Sequence, residues 1–218
     1  MGSEMCIRDS SPSDGLNVRN GDFGHIRITS TDGQVTLSGS FPSTSDFIFA
    51  TNCIAPELHT LINMSGNGRH GASLDKSTFF VLPAMGIINA GQEALRPIRG
   101  SFVNAFGCVF SGAGTYGLRI FDTSRANVAT TDFSNAGNVA IEANSASTVT
   151  AQACDCTGAG AVGVQSSGSR VTAANVDASG AGNFGFAAIN GGILTAAGTT
   201  GTKNIALNTP TSQGLILG

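Results

Sequence analysis

The dipeptide Ala-Gly recurs along the chain at an almost fixed interval, and that interval constrains the fold more than any other feature. It closes Ile88-Asn89-Ala90-Gly91, Ser111-Gly112-Ala113-Gly114, Ser134-Asn135-Ala136-Gly137, Thr157-Gly158-Ala159-Gly160 and Ser179-Gly180-Ala181-Gly182. The glycines lie 23, 23, 23 and 22 residues apart, and a weaker copy ending at Lys203 follows after 21. A period of this size marks an architecture in which one small unit is stacked many times.

Each copy carries the same inner grammar. Apolar residues stand two and four positions after the glycine: Tyr116 and Leu118, Val139 and Ile141, Val162 and Val164, Phe184 and Phe186, Ile205 and Leu207. Small residues separate them, namely Gly117, Ala140, Gly163, Gly185 and Ala206. Alternation of this kind is the mark of a strand with one buried face. A second short strand precedes each glycine (Cys108 and Phe110, Thr131 and Phe133, Cys154 and Cys156, Val176 and Ala178). A third lies further upstream (Val103 and Ala105, Ala126 and Val128, Val149 and Ala151, Val171 and Ala173). A coil of three short strands cannot bury its apolar side alone. Stacked on its neighbours about 4.8 Å apart, it closes a continuous interior and pairs its backbone groups with the coils above and below. The sequence therefore predicts an all-β, right-handed, single-stranded parallel β-helix with coils of about 21–23 residues.

Composition agrees. Glycine is abundant, yet hydrophobic residues make up 41% and the net charge is only −3, which separates this chain from a disordered one. With 11 Lys and Arg in no basic stripe, nucleic acid is not expected as a partner. No apolar stretch has the length of a membrane span, and the N-terminus lacks a signal-peptide pattern. Residues 88–218 read as regular coils. Residues 11–87 read as earlier coils with longer loops, of which Gly66-Asn67-Gly68-Arg69-His70-Gly71 is one protruding example. Residues 1–10 share no pattern with the rest, and Met5-Cys6-Ile7-Arg8-Asp9-Ser10 looks like a translated sequencing adapter. They are read as an artefact, with the true N-terminus missing.

The turn repeats, such as Asp132-Phe133-Ser134-Asn135-Ala136-Gly137 and Asp177-Ala178-Ser179-Gly180-Ala181-Gly182, resemble those of bacteriophage tail-spike and tail-fibre proteins. The resemblance covers residues 88–208 well and residues 11–87 loosely. It implies the pectate-lyase-like β-helix, commonly trimeric, carried on the virion and assembled in the host cytoplasm. It also implies contact with host surface polysaccharide. A polysaccharide depolymerase, hydrolase or lyase, is the alternative activity. A bacterial surface adhesin is a further alternative.

Three sets of residues are candidates for function. Asp132, Asp155 and Asp177 share one column, five residues before each glycine, and point outward. They would lie about 5 Å apart, which should raise at least one pKa. Three roles are open to them: capping the following turn, holding a cation such as Ca²⁺, or serving as a catalytic carboxylate pair at the spacing of a retaining glycosidase, about 5–5.5 Å. Gly117, Gly163 and Gly185 form a second outward column, suited to close approach of a saccharide or another subunit. Arg119 and Glu142 join them as carbohydrate or interface candidates. The cysteines Cys6, Cys53, Cys108, Cys154 and Cys156 read as free thiols, and Cys154-x-Cys156 lacks further metal ligands nearby. His25, His59 and His70 read as surface or loop residues, and no cofactor is expected.

Overall fold

The computed structural model describes residues 16–21, 26–28, 34–36, 46–53, 56–64, 66, 68–200 and 214–218. The copy ending at Lys203, the pair Ile205 and Leu207, His25 and residues 1–10 lie outside them. Among the described residues every named strand pairing is parallel and there is no helix. The strands stack as a β-solenoid of about seven turns.

One residue from each coil pairs with its counterpart in the next. In the first sheet, of eight strands, Leu118 pairs with Ile141, Ile141 with Val164 and Val164 with Phe186. All four belong to the main core, as the repeat predicts. The second sheet has nine strands, and its inner row runs Phe79, Val103, Ala126, Val149, Val171, Leu194 and Ile216. The third side begins as a three-stranded sheet and continues as single-residue bridges through Val109, Asp132, Asp155, Asp177 and Thr200. Here the expected strand shrinks to one bridged residue per coil, yet Cys108, Phe110, Thr131, Phe133, Cys154, Cys156, Val176 and Ala178 are all buried. Phe110 and Phe133 stack with centroids 5.7 Å apart.

The repeated glycine follows from this stacking. A methyl group on Gly114 would strike the carbonyl of Gly91, one on Gly137 that of Gly114, and one on Gly160 that of Gly137. Successive coils meet backbone to backbone at that corner, so any side chain would pry them apart. The spacing is less regular at the start: Leu16 pairs with Ile48, an offset of 32, whereas Ile48 pairs with Ala72, an offset of 24.

A corner further along carries a ladder of serines. The backbone N–H of Cys53 donates to Ser77 Oγ, that of Ser77 to Ser101 Oγ, and that of Ser101 to Ser124 Oγ, each at 3.1 Å. Ser147 N–H donates to Ser169 Oγ at 3.1 Å. These serines are buried, and the hydroxyls of Ser77, Ser101, Ser124 and Ser169 each satisfy an amide where the sheet ladder is interrupted.

Candidate functional site

From the strand His70–Asp75 to the strand Phe184–Ile189 the first sheet bends within each strand, and the bend creates the site. Ala94 and Leu95 both belong to the main core, and so do Ala140 and Ile141, although they are adjacent in sequence. The ladder skips that position: Tyr116 pairs with Val139 and Leu118 with Ile141, and Gly117 stands outside the ladder. A Cβ on Gly117 would lie 2.7 Å from the Ala140 carbonyl and 2.8 Å from the Phe133 ring. On Gly163 it would lie 2.5 Å from Ala178 Cβ and 2.7 Å from the Gly185 carbonyl. Gly117, Gly163 and Gly185 are thus buried at the bend rather than an outward column, which corrects the sequence reading.

The same bend reverses another expectation. Tyr116, Val139, Val162 and Phe184 lie on the outer side, in a cluster of their own with Ala161 and Ala187. Period-two alternation places them inside; two consecutive inward residues break that period. Across the bend from them runs a second outer row, in register from Ser73 through Arg96, Arg119, Glu142 and Gln165 to Ala187. The two rows face each other across a furrow. The Arg119 guanidinium sits 4.3 Å from the Tyr116 ring centroid and 4.8 Å from that of Phe121.

The furrow holds a continuous charged network that crosses five coils. Asp46 takes Arg69 Nε at 3.0 Å and Nη2 at 3.2 Å. His70 sits between two carboxylates, with Nδ1 2.8 Å from Asp46 Oδ1 and Nε2 3.1 Å from Glu93 Oε2. Arg96 Nε lies 3.1 Å from Glu93 Oε2, and Arg119 Nη1 donates to Glu93 Oε1 at 3.2 Å. Arg119 Nε donates to Glu142 Oε2 at 2.6 Å, and Gln165 Nε2 to Glu142 Oε1 at 2.9 Å. His70 Nδ1, Glu93 Oε2 and Arg96 Nε lie within ion-pair reach without hydrogen-bond alignment, so charge rather than directed bonding holds that part together.

Burial would lower the His70 pKa, but the flanking Asp46 and Glu93 carboxylates outweigh it and hold it above the usual value. Burial would raise Asp46 and Glu93, and the same contacts reverse that. His70 and Arg69 pull Asp46 down; His70, Arg119 and Arg96 pull Glu93 down. Burial would lower Arg119, yet the Glu142 and Glu93 carboxylates raise it. The two carboxylates therefore favour the protonated form of the imidazole.

Arg119 and Glu142, both candidates from the sequence, thus meet in this furrow. His70 does not read from the sequence as part of it, because three glycines around Arg69 and His70 suggest a loop. It opens the buried strand His70–Asp75. The available signal was the register: Asp46, His70 and Glu93 stand at intervals of 24 and 23. His59, half-buried, pairs with Glu57 at 2.8 Å.

Asp132, Asp155 and Asp177 stand in one register column on the third side, away from the furrow. Each Oδ1 accepts the backbone N–H two residues on: Ser134 at 2.8 Å, Thr157 at 2.9 Å and Ser179 at 3.0 Å. That is turn-capping geometry. Asp177 is held below the usual carboxylate range, chiefly by the Ser179 amide, opposite to the rise that like-charge crowding implies. Among the described residues no group of three acidic, histidine or cysteine side chains could hold a metal ion. Cys154 and Cys156 are buried in the core, and burial pushes the thiols of Cys108 and Cys154 up to about 12. Among the described residues no helix is long and apolar enough to cross a membrane.

Comparison of the chain with protein-family models, curated proteins and solved structures finds no match. Function is therefore argued from the furrow's own chemistry.

Proposed function

We propose that this chain is a rigid, receptor-contacting part of a phage tail spike or tail fibre, and that the furrow on its first sheet contacts host surface glycans. The observation that carries the contact is the line of Glu93, Arg96, Arg119, Glu142 and Gln165, drawn from four consecutive coils and set beside the rings of Tyr116 and Phe121. Sugar hydroxyls need both donors and acceptors, and their apolar faces pack on aromatic rings; this surface offers all three. Stacked coils supply stiffness, so the furrow is presented with little ordering cost. The phage setting is supported by the resemblance of the turn repeats together with the solenoid architecture.

Binding without cleavage is the favoured mode. A glycosidase needs one carboxyl kept protonated near neutral pH to act as general acid. Glu93 is instead held ionised by His70 and two arginines.

An array of bacterial surface polysaccharides tests the proposal. The expected result is retention of the protein on a subset of glycans, weakened at least severalfold by Tyr116→Ala and without release of new reducing ends. Absence of retention on every glycan would overturn it. Glycan-specific release of reducing ends, abolished by Glu142→Gln, would replace it with the depolymerase reading.

A further inference from the structure

The charges of the furrow are sorted by depth. The side chains of Asp46, Glu93 and Glu142 are only 1%, 6% and 9% exposed, whereas those of Arg69, Arg96 and Arg119 are 40%, 33% and 32% exposed. The carboxylates form the floor and the guanidiniums form the surface. A chain whose overall charge is −3 therefore presents a local cationic pair, Arg96 and Arg119, in register on adjacent coils, with Arg69 on the preceding coil outside that register.

The arginines are also held in place. Arg119 is fixed by Glu93 and Glu142 and stacked on Tyr116 and Phe121. Arg96 is drawn to Glu93, with its guanidinium 6.0 Å from the Phe121 ring centroid. A guanidinium has five N–H donors. Arg119 uses Nε and one Nη1 donor in these pairs, and the ion pair of Arg96 uses Nε, so further Nη donors are left for an incoming group. The planar fork suits a carboxylate or a sulfate, which it can bind in a bidentate manner. Arg96 and Arg119 stand on consecutive coils about 4.8 Å apart, so an extended polymer lying along the stack would meet both forks in turn. Partial neutralisation from below keeps the arginines from repelling one another without cancelling their outward donors.

We infer that the furrow selects acidic polysaccharides, with Arg96 and Arg119 as the residues that recognise their carboxylate or sulfate groups. This inference rests on the proposed glycan contact and adds the charge class of the ligand.

The test measures binding of the intact protein to polygalacturonate, dextran sulfate, neutral dextran and single-stranded DNA by titration calorimetry at two salt concentrations. The expected result is at least tenfold tighter binding to one acidic polysaccharide than to dextran, weakening with salt. Arg119→Gln should cost about tenfold or more, and Arg96→Gln should act in the same direction. The Arg96 variant keeps both contacts of Arg119, so it reports on binding even if the Arg119 variant folds poorly. Arg125→Gln, an exposed residue on the second sheet, should leave affinity unchanged. Preference for polygalacturonate or for dextran sulfate distinguishes carboxylate from sulfate. Binding to dextran as tight as to the acidic polymers would overturn the inference while leaving glycan contact intact. Equal loss in Arg125→Gln, or equal affinity for DNA, would overturn it as unspecific attraction of polyanions. No binding to any polysaccharide would overturn both readings.

Discussion

Replacing Gly163 by alanine should destabilise the solenoid, although an alanine, Ala140, occupies the equivalent position one coil earlier. The added methyl would lie 2.5 Å from Ala178 Cβ and 2.7 Å from the Gly185 carbonyl. Comfortable carbon contacts are about 3.5–4.0 Å, so the overlap approaches 1 Å. One of the offending atoms is backbone of the next coil and cannot rotate away. Overpacking of this kind costs about 1–3 kcal/mol. Restriction of the unfolded chain returns about 0.4–1 kcal/mol. The net expectation is a loss of about 1–2 kcal/mol, which for a chain of this size lowers Tm by about 3–6 °C. Thermal melting followed by far-ultraviolet circular dichroism measures it. An unchanged or raised Tm would show that the position is an open surface site, and the bend that builds the furrow would be misplaced.

Three further outcomes follow from the polar networks. The His70 pKa is raised, so its stabilising contribution is full below about 6.5 and is lost as pH rises through its folded value. Those of Asp46 and Glu93 are lowered, so their contributions are full above about 4.3 and are lost as pH falls. Tm should therefore peak in mildly acid solution, and His70→Gln should flatten the decline on the alkaline side; an unchanged profile would contradict the charged imidazole. Ser101→Ala should cost about 1–3 kcal/mol in denaturant melts, because it leaves the buried Ser77 amide without its acceptor. Asp155→Ala should cost about 1 kcal/mol, as a lost cap does, while Asp155→Asn, which keeps the acceptor oxygen, should be close to neutral and leave glycan binding intact.

The repeat made the stacking legible because the Ala-Gly corner tolerates no side chain and so leaves an unmistakable period. Leu118, Ile141, Val164 and Phe186 were readable as an interior row for the same reason. The furrow was not readable in full. Alternation assumes a straight strand, and the bend at Gly117 turns two neighbours inward and leaves Tyr116 outside. Arg119 and Glu142 were visible as candidates, but the residues that bind them were not. Glu93 stands two residues after Gly91, where the other copies carry an apolar side chain, His70 belongs to a coil whose glycines read as a loop, and Asp46 precedes the regular part of the chain. The serine ladder repeats at Ser77, Ser101, Ser124, Ser147 and Ser169, at intervals of 24, 23, 23 and 22. Serine is common enough in turns for that signal to pass unnoticed beside the glycines.

Electron–electron distances between nitroxide labels on the outer row of the second sheet test the stacking most directly. The row runs in register from Phe102 through Arg125, Thr148, Arg170 and Ile193 to Leu215. With one coil rising about 4.8 Å, labels at Arg125 and Ile193 should lie about 14 Å apart, at Arg125 and Leu215 about 19 Å, and at Phe102 and Leu215 about 24 Å. Narrow distributions climbing by one coil height per repeat are the predicted result. Broad distributions, or distances that fail to grow with the number of coils between the labels, would contradict the solenoid.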